Sequence, residues 1–94
     1  MLDKRNFYIN GAWVAPIDGR DLDVIDPSTE ESVAVISLGG KADTDAAVAA
    51  AKAALPGFMY SDPQSRLELV KRILEVYKAR NDEMGEAISL EMGA

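Results

Sequence analysis

The sequence predicts an α/β segment, with a β-hairpin and short strands over residues 1–39 followed by three α-helices over residues 40–94. Three observations predict it. Asn10-Gly11 sits between two apolar triplets, apolar residues crowd a strand-length run from Ser32 to Leu38, and after Gly39-Gly40 the apolar spacing changes to the helical i, i+3, i+4 pattern.

Phe7-Tyr8-Ile9 and Ala12-Trp13-Val14 flank Asn10-Gly11. Asn-Gly is the strongest short hairpin signal, because both central residues of the favoured turn need positive φ. Asp18-Gly19 marks a second turn, after which Leu22-Asp23-Val24-Ile25 reads as an extended run ending at Asp26-Pro27. Proline lacks a ladder donor and pushes the residue before it toward extended geometry, so a turn through Ser28 to Glu31 follows. Val33 and Val35 fall on one face of the next strand and Ala34, Ile36 and Leu38 on the other. With both faces largely apolar, this strand is expected to be covered on two sides.

Lys41 to Leu55 reads as an Ala-rich helix, with Asp43 and Asp45 in its first turns and Pro56-Gly57 as its stop. Its expected apolar stripe is Ala47, Val48, Ala51 and Leu55. Ser61-Asp62-Pro63 opens a second helix, with a capping side chain just before a proline in the first helical position. Leu67, Val70, Ile73, Leu74 and Tyr77 form its apolar face, and Glu68–Arg72 and Lys71–Glu75 are spaced to pair on the wet side. Asn81 is expected to cap a third helix over Asp82 to Met92, with Met84, Ala87, Ile88 and Leu90 inward.

Composition narrows the function. Of the 94 residues 48% are hydrophobic, yet 14 are Ala, and one Trp, two Phe and three Tyr are the only aromatic anchors. So thin a core suits a segment packed on something larger better than an independent domain. A net charge of −6 argues against nucleic acid, which demands a concentrated basic surface. Lys4-Arg5, Lys71-Arg72 and Lys78 with Arg80 lie among acids and read as solvated faces. There is no Cys and no His, which removes thiolate and imidazole chemistry from these residues. The opening Met1 to Asn6 lacks the apolar core of a signal peptide, and the longest apolar stretch, Ala46 to Ala51, is too short to span a bilayer. The expectation is a cytoplasmic protein without a membrane partner.

Gly39-Gly40-Lys41, between strand and helix, suggests a phosphate cradle, but Ala42 stands where a P-loop needs Ser or Thr and the upstream Gly spacing is missing. It reads as a plain strand-to-helix turn. The acid clusters Glu30-Glu31, Asp43 with Asp45, and Asp82-Glu83 with Glu86 sit in a turn and in first helical turns, where acids serve capping and solubility. None of the serines or threonines has a base at a recognisable spacing.

Taken together, Phe7 to Val14, Val24 to Thr29, Val33 to Val48 and Arg66 to Ala94 resemble, in order and in register, the start of the aldehyde dehydrogenase superfamily. Asp26 stands where Asn is commoner in that family, and Thr44 where an aliphatic residue is frequent. The resemblance implies that residues 1–94 are an N-terminal segment of a Rossmann-like domain binding NAD or NADP. It implies a whole enzyme that oxidises a small-molecule aldehyde to a carboxylic acid through thiolate attack, hydride transfer and thioester hydrolysis. The cysteine nucleophile, glutamate base and nucleotide contacts of the family all lie beyond Ala94, so no catalytic or cofactor-binding residue is assigned here. The one carry-over is a structural monovalent cation, expected on the Val24 carbonyl and the Glu91 carboxylate. The partners implied are the rest of the enzyme chain and further copies of it in a homo-dimer or tetramer. The competing reading is a non-catalytic association module or gene remnant, favoured by the absence of any nucleophile or base. On the first reading the isolated chain leaves apolar surface uncovered and binds a hydrophobic dye or self-associates.

Overall fold

A computed structural model describes residues Met1–Ala94. It contains five strands, β1 (Leu2–Lys4), β2 (Phe7–Ile9), β3 (Ala12–Val14), β4 (Arg20–Asp26) and β5 (Glu31–Leu38). Three helices follow, α1 (Lys41–Met59), α2 (Pro63–Ala79) and α3 (Asn81–Met92). The strands make two sheets. One is three-stranded in the order β1-β5-β4, with β1 parallel and β4 antiparallel to the central β5. The other is the β2–β3 hairpin, registered Phe7 to Val14 and Ile9 to Ala12.

The hairpin turn takes the conformation its dipeptide demands, with φ of 55° at Asn10 and 77° at Gly11. The strand β1 has no counterpart in the sequence pattern. Three residues with one apolar member, Leu2, carry no readable alternation, and their order comes from pairing with Ala34 to Ile36 of β5. The strand β4 begins two residues earlier than its apolar run, because Arg20 and Asp21 pair with Leu38 and Ser37 whatever their side chains. A register shift falls between Val24 and Ile25, where Val33 of β5 is passed over in the pairing.

Helix α1 runs through Pro56 instead of stopping there. Proline removes one donor, and this close to the helix end the loss is confined to the final turn. The backbone resumes with the Tyr60 N–H donating to the Pro56 carbonyl at 3.1 Å and the Ser61 N–H to Phe58 at 3.1 Å. Helix α2 starts as expected, with Asp62 at the N-cap accepting from the Gln64 N–H at 3.3 Å and Pro63 in the first turn. Arg66 braces the same corner by donating to the Ser61 carbonyl. Asn81 does not cap α3. Arg80 occupies that position without a side-chain cap and instead pairs with Glu83 at 2.8 Å across the first turn. Neither Glu68–Arg72 nor Lys71–Glu75 forms an ion pair; the pairs present are Arg5 with Asp3 and Asp21, Lys41 with Asp45, and Arg80 with Glu83.

Only two residues are buried, Ala34 at the centre of β5 and Asp43 at the start of α1. The expected inner faces of the helices are open: Val70 is 60% and Ile73 58% exposed, and Leu67, Leu74, Tyr77, Met84 and Ile88 are exposed as well. Along α1 the half-buried residues are Ala46, Ala47 and Ala50, beside the hairpin, whereas Val48 and Leu55 face outward. The molecule is a plate of 49 × 34 × 15 Å with a radius of gyration of 17.0 Å, against about 12 Å for a compact chain of this length. Its accessible surface is 7496 Å², whereas a folded monomer of this mass exposes about 5,300 Å². The excess, about 2,200 Å², matches the scale of an obligate interface. The residues form local elements, and the surfaces that would make a core lie exposed.

Candidate functional site

Two places concentrate polar chemistry. The first is the corner where α3 ends against the turn after β4. Asp26 Oδ1 accepts from the Ser28 N–H at 2.8 Å and from the Ser28 hydroxyl at 2.7 Å, which closes the turn and holds the Asp26 carboxyl below the usual carboxylate range. The Glu30 N–H donates to the Asp26 carbonyl at 2.7 Å, with Glu30 itself at φ 62°. Gly93 ends α3 in the left-handed conformation, and its N–H donates to the Ser89 carbonyl at 2.9 Å. A Cβ at Gly93 would stand 2.8 Å from the Ser28 nitrogen and 3.2 Å from Asp26 Oδ1. The glycine is needed twice, once for its φ and once for this close approach.

The structure places Val24 and Glu91 on two neighbouring elements, β4 and α3. Val24 is half-buried on β4 beside the register shift, and Glu91 is exposed in the last turn of α3, an element in contact with β4. The register shift leaves Val33 of β5 outside the pairing, whereas Val24 keeps its partner Ala34. The last turn of α3 carries Glu91 and no basic residue, so an acid sits at the negative end of the helix dipole. No group of three Cys, His, Asp or Glu side chains converges anywhere in the chain, and a carbonyl with one carboxylate is not such a group.

The second place is the start of α1. Asp43 is 5% exposed and accepts three backbone N–H bonds: Ile17 to Oδ1 at 2.7 Å, and Asp18 at 3.2 Å and Gly40 at 3.1 Å to Oδ2. The bonds from Ile17 and Gly40 hold its carboxyl below the usual range. The acid expected to serve capping does so, accepting from the N-cap Gly40 N–H, but it is not a surface acid: it is also a buried tie to residues 25 and 26 positions earlier in the chain. Its neighbour Asp45 does behave as a surface acid, paired with Lys41 at 2.6 Å. These contacts also dispose of the phosphate cradle. The Gly40 N–H is taken by Asp43, the Lys41 ammonium by Asp45, and a Cβ at Gly40 would stand 2.4 Å from Asp18 Oδ2. Carboxylates fill the ground a phosphate would need. The Ile17 and Asp18 bonds leave no mark in the sequence, because backbone donors have no residue type.

The profile of the Aldehyde dehydrogenase family matches residues 13–94. A 3-succinoylsemialdehyde-pyridine dehydrogenase from a Pseudomonas species is 43% identical over all 94 residues, which make up 20% of that protein. Putative aldehyde dehydrogenases of Staphylococcus species are similar at 37–41% identity. Among solved structures, an aldehyde dehydrogenase from Bartonella henselae superposes with a TM-score of 0.97 at 53% identity, covering 100% of this chain and 20% of that one. A mutant of aldehyde dehydrogenase C from Pseudomonas syringae, solved with NAD+ and octanal, superposes with a TM-score of 0.92 at 46% identity, over 96% and 19% of the two chains. The chain belongs to the aldehyde dehydrogenase family. It spans about a fifth of the length of these relatives, corresponding to their N-terminal part.

Proposed function

We propose that these residues are the N-terminal segment of an NAD(P)-dependent aldehyde dehydrogenase that oxidises an aldehyde to a carboxylic acid. The observation that carries this reading is the superposition of the whole chain on one fifth of a solved aldehyde dehydrogenase at a TM-score of 0.97. The exposed faces of α2 and α3 and the excess surface support it, since they are what a segment leaves open when the polypeptide it packs on is absent. The segment's part is structural. The thiolate, the base and the NAD or NADP contacts come from outside it, which accords with the lack of Cys and His here. A relative solved with NAD+ and octanal supports a nicotinamide cofactor and an aldehyde substrate.

The same reading includes a cytoplasmic homo-oligomer, dimer or tetramer. It includes a monovalent cation on the Val24 carbonyl and Glu91, where a positive ion would offset an acid at a helix C-terminus. The test is formation of NADH or NADPH by the protein as expressed from its gene, across short and long aldehydes. Aldehyde-dependent formation is expected. A folded product inert to every aldehyde would favour the second reading, a non-catalytic association module, whose support is the absence of any nucleophile or base in these residues.

A further inference from the structure

The β2–β3 hairpin carries the most exposed aromatic pair of the chain. Tyr8 and Trp13 are 62% and 70% exposed and meet edge to face with ring centroids 5.2 Å apart. Besides the contact of β2 with α1, two connections fasten this arm. On the leading side, β1 pairs with β5 and the Ser37 hydroxyl donates to the Arg5 carbonyl at 2.8 Å. On the trailing side, residues 15–19 lead from β3 to β4, and their side-chain tie to the rest of the molecule is the Asp43 carboxylate. Phe7 lies over Gly39 near Asp43, so the same corner receives the root of the hairpin.

We infer that Asp43 is a latch that fastens the trailing end of the hairpin arm to the start of α1, so that its loss frees the arm without unfolding the sheet. The chemistry is specific to a carboxylate. Both oxygens accept, and all three partners are N–H donors. An amide of the same shape presents an NH2 to at least one of them whichever way it turns, leaving donor against donor. The sheet has no share in these bonds: β5 is held by β1 and β4 through backbone ladders. Release is therefore local.

The test is hydrogen exchange followed by mass spectrometry on the protein as expressed from its gene, comparing Asp43→Asn with the wild type and with Asp45→Asn. In Asp43→Asn, peptides covering residues 12–19 and Gly40 are expected to exchange about tenfold faster or more, as charge-assisted bonds to backbone are lost. Peptides of β4 and β5 keep their rates, and Asp45→Asn leaves every rate unchanged. Unchanged exchange over residues 12–19 in both Asp43→Asn and Asp43→Ala would overturn the latch. So would equal acceleration of β5, which would make Asp43 a general stabiliser. Asp43→Ala, which removes all acceptors, serves if the amide variant retains two bonds.

Discussion

Replacing Gly93 by Ala is expected to destabilise the α3 corner by about 2–5 kcal/mol. Two effects contribute. At φ 72° an L-residue meets the left-handed penalty, roughly 1–2 kcal/mol. The added Cβ would also stand 2.8 Å from the Ser28 nitrogen, 3.2 Å from Asp26 Oδ1 and 3.3 Å from Pro27 Cδ, and overpacking of this kind costs about 1–3 kcal/mol. Backbone on the Ser28 side cannot swing away as the end of a long side chain could. Gly11 provides the control: its φ is 77° and nothing lies within 4 Å of its Cβ position, so Gly11→Ala carries the conformational penalty alone. Gly93→Asn relieves part of the φ penalty but keeps the collision. The assay is thermal unfolding of the three variants in the protein as expressed from its gene. For an unfolding unit of 150–250 residues each kcal/mol moves Tm by about 2–4 °C, so Gly93→Ala should fall several degrees below Gly11→Ala, with Gly93→Asn between them. Equal losses in Gly93→Ala and Gly11→Ala would refute the docking of α3 on the turn after β4.

Three further outcomes follow from the same geometry. Glu30, at φ 62°, is strained, so Glu30→Gly should raise stability by up to about 1 kcal/mol, read as a higher Tm. Asp3, Asp26 and Asp43 all hold carboxyls lowered by their partners: the Arg5 guanidinium, the Ser28 hydroxyl and N–H, and the Ile17 and Gly40 N–H groups in turn. A lowered folded value means that the stabilisation is complete above the unfolded value of about 3.9 and is lost as pH falls through the folded values. Asp26→Asn should therefore flatten the acid limb of a Tm-against-pH curve below about pH 4, and a limb of unchanged slope would contradict the assignment. Glu91→Gln should remove any dependence of Tm on added K+ or Na+ that the wild type shows over Li+. A dependence retained in the variant would take Glu91 out of the cation site.

Most of the fold could be read from residues, and the exceptions share a cause. Asn10-Gly11, Asp62-Pro63 and the apolar spacing of α2 are local signals, and each produced the expected element. The strand β1, the run of α1 through Pro56 and the uncapped Asn81 depend on partners or on where a helix can bear a missing bond. Local patterns do not contain that information. The inner faces named for α2 and α3 are apolar as read, but apart from half-buried Leu90 they lie exposed. Asp43 shows the limit most sharply, since an acid in a first helical turn looks like any cap until residues 17 and 18 return to it. Val24 and Glu91 rest on resemblance alone, because a backbone carbonyl and a surface acid leave no pattern of their own.

The central claim is that residues 1–94 form part of a larger fold whose apolar faces are covered by further polypeptide. The most direct measurement is made on the 94-residue chain in isolation, combining binding of a hydrophobic dye with sedimentation. With about 2,200 Å² of surface in excess of a compact monomer, the chain is expected to bind the dye and to sediment as a self-associated species. A monomer that binds no dye and unfolds in one cooperative transition would contradict the claim.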